Sequence, residues 1–192
     1  MNKIIFTIIS FLLSISLSAQ ELQFQTSEKQ FKIVSEYMQS KEKHTWYSYA
    51  EICSSADIST YMQTFYEYSL GAVSIHAEYR GFLYTGDKWQ NSFIAGISFN
   101  ILACDNAYIN LAPLYRYESK NMWQATATYG ANYKNITFDG YFDLYGDDKI
   151  NGFSENKVKI HFDKYFIGTN IEYFLLERYS KVTPYIMFGI SL

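Results

Sequence analysis

Hydrophobic and polar residues alternate with a period of two in short segments over most of this chain. Val73, Ile75, Ala77 and Tyr79 alternate with Ser74, His76, Glu78 and Arg80. Phe93, Ala95, Ile97, Phe99 and Ile101 alternate with Ser92, Gly96, Ser98 and Asn100. Phe138, Gly140, Phe142 and Leu144 alternate with Thr137, Asp139, Tyr141, Asp143 and Tyr145. Successive side chains of a strand point to opposite faces, so each segment has one apolar and one polar face. The pattern predicts twelve strands, at 21–26, 31–38, 45–52, 58–69, 72–81, 90–102, 107–117, 122–133, 135–145, 156–163, 166–176 and 182–191. Segments after Ala72 alternate cleanly, down to Val182, Pro184, Ile186, Phe188, Ile190 and Leu192. In the first four, Lys32, Glu36, Ser48 and Glu67 interrupt the alternation, and Tyr61–Tyr68 also reads as a short helix.

The N-terminal residues read as an export signal. Lys3 gives the positive start, Ile4 to Leu17 the apolar core, and Ser16, Ser18 and Ala19 the small-residue cleavage zone. Cleavage after Ser18 or Ala19 makes 1–19 the signal peptide and 20–192 one barrel domain. No apolar run in the remainder reaches the 18 or so residues of a transmembrane helix. Strands with one apolar face in an exported chain therefore predict an all-β fold: a closed antiparallel up-and-down transmembrane β-barrel, lipid outside and a polar lumen inside. A tilted spanning strand takes about 9–11 residues, so twelve use roughly 120 of about 170 and leave only small loops. Ten strands, with Glu21–Met38 as a lead-in, or eight are the alternative counts. With a periplasmic N-terminus, the even-numbered connections (Leu70–Gly71, Ala103–Asn106, Lys134, Lys164–Tyr165) are short turns. The external ones are longer, as at Phe82–Trp89 and Gly146–Glu155, and Gln39–His44 is too long for its position.

Composition adds to this picture. Tyr 19 and Phe 15 against Pro 2 favour strands, and Tyr and Trp suit the interfacial girdles of a barrel. A net charge of −3 and a pI near 5.6 argue against nucleic-acid binding, which needs a basic face. Cys53 and Cys104 fall at opposite ends of the proposed barrel, so thiols are expected rather than a disulfide. No His/Cys/carboxylate cluster has metal-ligand spacing, and no cofactor is expected.

With the apolar face outward, the lumen follows by subtraction. Tyr47, Tyr49, Glu51, Gln63 and Glu67 come from the third and fourth strands, and Ser74, His76, Glu78 and Arg80 from the fifth. Asn110, Arg116, Gln124, Thr126, Thr128, Asn132, Asp139, Tyr141, Asp143 and Tyr145 follow, then Lys157, Lys159, His161, Asp163, Asn170 and Glu172. The candidate solute-binding set is Glu67, His76, Glu78, Arg80, Arg116, Asp139, Tyr141, Asp143, Lys159, His161 and Glu172. Rings stack on planar solutes, while carboxylates and guanidinium hydrogen-bond hydroxyl and exocyclic groups. Alternate strands place Glu78, Arg116, Asp139, Tyr141 and Glu172 around the lumen as a constriction. The same charges also suit a closed barrel whose interior is filled by ion pairs and serves only to fold. Strand number separates the two, because eight strands leave an interior just filled by side chains and larger barrels enclose a channel.

The stretches SIHAEYRGFL (Ser74–Leu83), ITFDGYFDLYG (Ile136–Gly146), FIGTNIEYF (Phe166–Phe174) and VTPYIMFGISL (Val182–Leu192) resemble the small Tsx-like outer-membrane barrels. His76-x-Glu78-Tyr79-x-Gly81 and Gly168-Thr169-x-x-Glu172 are the sharper elements. The resemblance implies a twelve-stranded monomeric barrel in the outer membrane of a Gram-negative cell, admitting nucleosides or similar small solutes. This chain is shorter than the nucleoside channel of that group, with trimmed loops.

Two other classes compete with this reading. Some small outer-membrane barrels are lipid-modifying enzymes using Ser with His and an acid. Of His44, His76 and His161, the last two point inward, but no Ser is recognisably tied to either. A soluble lipocalin-like barrel would invert the faces, yet the predicted outward set from Ala72 onward nearly lacks charge.

Overall fold

The computed structural model describes residues 20–54, 58–84, 88–176 and 179–192. The proposed signal peptide lies outside the described residues. Among the described residues the regular elements are all strands: β1 (Glu21–Thr26), β2 (Phe31–Lys41), β3 (His44–Cys53), β4 (Ile58–Ser69), β5 (Val73–Tyr84), β6 (Lys88–Cys104), β7 (Ala107–Tyr117), β8 (Asn121–Tyr133), β9 (Ile136–Gly146), β10 (Ile150–Phe162), β11 (Tyr165–Leu176) and β12 (Tyr179–Ser191). Each pairs antiparallel with its sequence neighbours, and β1 closes the circle against β12, from Glu21↔Ser191 to Thr26↔Ile186. Closure leaves no sheet edge, which is what a strand-built wall in lipid requires.

All twelve predicted strands are present. Their ends differ most where the chain leaves the apolar belt. β10 begins at Ile150 instead of 156, because Asn151, Phe153 and Glu155 pair with Tyr145, Asp143 and Tyr141 of β9. Beyond the belt nothing demands an apolar outward side chain, so the alternation that marks a strand is lost while its ladder continues. Likewise β2 runs to Lys41 and β3 starts at His44, which reduces the awkward Gln39–His44 connection to Glu42–Lys43. The expected long connection at Gly146–Glu155 shrinks in the same way, to 147–149, and residues 85–87 of the other, Phe82–Trp89, lie outside the described residues. Among the described residues the connections at both ends are short.

One end is built from the turns 42–43, 70–72, 105–106, 134–135 and 163–164. Two-residue connections favour a left-handed backbone because it matches the right-handed twist of the flanking strands. Glu42, Lys134 and Asp163 adopt it, with φ of 55°, 54° and 57°. Asp163 thus sits in a turn, exposed, and does not line the lumen as its alternation suggested. A left-handed L-residue costs about 1–2 kcal/mol, so Lys134→Gly should stabilise the barrel modestly and Lys134→Val destabilise it. Urea-unfolding midpoints of the two variants check this.

The outer surface is apolar. Ile75, Phe93, Ile97, Leu111, Ile136, Phe138, Ile167, Ile171, Ile186 and Phe188 all stand exposed on it. Trp46, Tyr108, Tyr133 and Tyr165 are exposed near the turn end, and Trp89, Tyr117 and Trp123 near the other. An apolar band between two aromatic girdles is the surface that a bilayer accommodates. The polar residues turn inward: Gln23, Glu78, Arg80, Ser92, Arg116, Gln124, Asp143, Lys157, Asn170 and Glu172 are buried. At β6–β7 the walls approach closely, and a Cβ on Gly96 would lie 2.5 Å from the Pro113 carbonyl oxygen. Ile94 of β6 and Ala112 and Leu114 of β7 form a small buried apolar cluster there.

Candidate functional site: the lumen and its vestibule

Period-two geometry brings the inward side chains of all strands into one lumen, and there the charges pair. On β5, His76 Nε2 and Arg80 Nε both reach the Glu78 carboxylate, and His76 Nδ1 lies 2.9 Å from Glu67 Oε1 of β4. Arg80 then reaches over the lumen. Its Nη1 donates to Asp143 Oδ2 of β9 at 2.6 Å, although β6, β7 and β8 lie between the two strands. Asp143 is wholly buried and also accepts from Thr126 Oγ1 at 2.6 Å.

A second set of struts comes from the β1–β2 side. Lys157 of β10 donates to Glu36 Oε1 of β2 at 2.7 Å, and Lys159 to Glu21 Oε2 of β1 at 2.6 Å. Lys32 of β2 donates to Glu172 Oε1 of β11 at 2.5 Å and to Glu51 of β3 at 3.1 Å. Asn170 Nδ2 bridges Gln25 of β1 and Glu155 of β10. Non-neighbouring walls are thus tied by charge-assisted hydrogen bonds, the strong kind.

Above this network the lumen opens into a vestibule of about 560 Å³ at the end away from the two-residue turns. Rings of Tyr49, Tyr61, Phe82, Tyr141, Tyr145, Phe153 and Phe174 line it together with Lys32, Arg80, Arg116, Glu51, Glu155 and Glu172. Arg116 stacks over Tyr145, 4.6 Å from its centroid, and donates to Glu118 and Ser92. Its Nε, like Gln124 Oε1 and Asn170 Oδ1, is buried without a protein partner. Buried polar atoms are nearly always hydrogen-bonded, so these three positions suit water or a polar solute. At the rim, outside the spanning segments, Lys120 donates to Asp147, and this bond holds the Asp147 carboxyl below the usual carboxylate range.

The constriction expected from the sequence does not form as one ring. Arg116, Tyr141 and Glu172 line the vestibule. Glu78 lies deeper, held by His76 and Arg80, and Asp139 lies beside Lys159 at 3.6 Å. Alternation places residues on the lumen side but does not specify their height along the axis, which depends on register. Glu67 and His76 form one pair, Arg80 and Asp143 another, and His161 contacts Thr137 and the Phe166 ring. Gln23, Gln25, Lys32 and Glu36 were missed because β1 is six residues long and β2 interrupts the apolar pattern. The interrupting residues were themselves the signal: Lys32, Val34 and Glu36 share the inward face.

Among the described residues no group of His, Cys, Asp and Glu is arranged to hold a metal ion. Ser98 Oγ and His76 Nδ1 both bond Glu67 Oε1, at 3.0 and 2.9 Å. The acid rather than the imidazole faces the hydroxyl, which is not the order in which a base activates a nucleophile. Cys53 and Cys104 lie at opposite ends with no disulfide between them.

The fold is that of the porin-like outer-membrane barrels. The KdgM porin, also solved in complex with disordered oligogalacturonate, aligns with a TM-score of 0.59 at 8% identity, over 90% of this chain and 98% of that one. The NanC porin aligns with a TM-score of 0.59 at 9% identity over the same shares. No protein-family model matches the sequence, and a search of characterised proteins finds no match.

Proposed function

We propose that the protein is a monomeric outer-membrane channel, exported by its N-terminal signal, that passes small polar solutes and favours planar ones such as nucleosides. The observation that carries this reading is the vestibule, where rings and both charge signs surround about 560 Å³ and lead into a polar lumen. That volume lies within the range of small-molecule sites. Tyr141 and Tyr61 offer faces for a planar ring, and Arg116, Glu155 and Glu172 offer donors and acceptors at its edge. The apolar belt and its girdles support residence in lipid, and the likeness to porins supports the outer membrane. The vestibule is taken to face the exterior, with the two-residue turns periplasmic.

Arg80–Asp143, Lys157–Glu36 and Lys32–Glu172 support a second reading, a barrel closed by its own ion pairs. The two readings predict different liposome swelling. In the channel reading, proteoliposomes swell in uridine or a monosaccharide and much less in a trisaccharide, because the struts narrow the lumen. Glu172→Ala and Asp139→Ala should alter the rate several-fold, and Lys120→Ala should leave it unchanged. No swelling in any small solute would favour the closed barrel.

A further inference from the structure

Three lumen lysines are each shared between carboxylates, while Lys181, at the mouth of the vestibule, is exposed. Lys32 lies between Glu51 and Glu172, Lys157 between Glu36 and Glu155, and Lys159 among Glu21, Glu36 and Asp139. Arg80 is likewise divided between Glu78 and Asp143. The pairing of the walls therefore leaves a surplus of negative charge inside. The surplus lies mostly below the vestibule, where Glu21, Glu36, Glu67, Glu78, Asp139 and Asp143 face Lys157, Lys159 and His76; within the vestibule Glu155 and Glu172 stand directly opposite each other on β10 and β11.

A second observation is independent of the acids. Ring faces in the lumen already hold the protein's own cations: Arg116 over Tyr145 at 4.6 Å, Lys32 over Tyr185 at 4.9 Å, and Lys157 over Tyr49 at 5.4 Å. Tyr61, Phe153 and Phe174 present further rings to the same vestibule. A cation over an aromatic face is attracted by the ring quadrupole, more strongly where water is displaced. Of the basic residues outside the lumen, Lys43, Lys134 and Lys164 belong to the exposed turns of the opposite end, and Lys29, Lys120 and Lys149 to exposed connections at the vestibule end. Salt screens them within about 8 Å, whereas the confined lumen focuses its own field.

We infer that the passage selects cationic over anionic solutes, and that its vestibule retains small organic ammonium ions. Acidic oligosaccharides of the kind found with the KdgM porin would be repelled by this lumen. The inference rests on the channel reading and adds the charge sign of what passes.

The test is the reversal potential of the protein in a planar bilayer under a KCl gradient. Potassium should be favoured over chloride by roughly tenfold, the scale on which a charged cleft concentrates counter-ions. Tetramethylammonium added on the vestibule side should reduce the potassium current, and an oligogalacturonate should not. Glu155→Gln with Glu172→Gln should bring the permeability ratio close to one and weaken the tetramethylammonium effect. If that pair fails to give the heat-modifiable gel shift of a folded barrel, Glu155→Gln alone should still lower the ratio. A conducting protein that shows no preference, or prefers chloride, overturns the inference and leaves the channel standing. A protein that does not conduct at all overturns both.

Discussion

Ile97→Arg will cost about 2–4 kcal/mol of folding free energy, while Ser98→Arg, one position along the same strand, will cost little. Ile97 is 42% exposed on the apolar belt, whereas Ser98 is 5% exposed and its hydroxyl donates to Glu67 Oε1 at 3.0 Å. An arginine on the lipid face must take its guanidinium into hydrocarbon or bend toward the interface. At position 98 the new cation would meet the Glu67 carboxylate on the polar lumen face. Phe142→Arg and Thr126→Arg repeat the comparison on β9 and β8, where Thr126 lies 2.6 Å from Asp143. Urea titrations of the four variants refolded into lipid vesicles measure the difference. Equal costs on the two faces would mean that the assignment of faces is wrong.

The second large effect belongs to Arg80. This side chain is 5% exposed and joins Glu78 of its own strand to Asp143 across the lumen. Removing one partner of a buried ion pair leaves an uncompensated charge, at a cost of about 3–5 kcal/mol. Arg80→Ala leaves Asp143 without a charged partner and Glu78 with His76 and Gln63 alone, so destabilisation in that range is expected, together with a wider passage and a larger conductance. Adding Glu78→Gln and Asp143→Asn removes the stranded charges and should recover much of the stability while keeping the passage wide. If Arg80→Ala is as stable as the parent, the lumen at that level is open enough for water to solvate both acids. If its conductance is also unchanged, the strut does not narrow the passage.

Much of this architecture is visible in the sequence because lipid imposes a strict demand. Where a strand crosses the apolar belt, every second residue must be apolar, and Ile75, Ile97, Phe138 and Ile186 announce their strands. Where the wall leaves the belt, that demand lapses. The start of β10 at Ile150 was hidden for this reason, as was the far half of β2 up to Lys41. The lumen was legible by elimination only where the outward face was clear. The alternation on β5, β9 and β11 points Glu78, Arg80, Asp143 and Glu172 inward, where they are buried, while Lys32 and Glu36 interrupt the apolar pattern of β2.

Register is what the alternation could not supply. Arg80 meets Asp143 because Arg80 pairs with Ser92 on β6, while Asp143 pairs with Thr126 on β8. Their heights then match across β6, β7 and β8, and no pairwise sequence pattern records that. The same gap explains why Glu78 and Asp139 separate from Arg116, Tyr141 and Glu172, which share the vestibule. Turn positions were easier, since short connections between clean strands leave few choices. Yet Asp163 shows that a polar residue in phase with the lumen can belong to the turn beyond it.

Single-channel recording of the refolded protein in planar bilayers, beside Arg80→Ala, decides whether the barrel is a passage narrowed by its own ion pairs. Small, discrete openings are expected for the parent protein, with transient block by a nucleoside on the vestibule side and a larger unit conductance for Arg80→Ala. Silence from both proteins, with folded barrel verified by gel mobility in each, would contradict the channel reading.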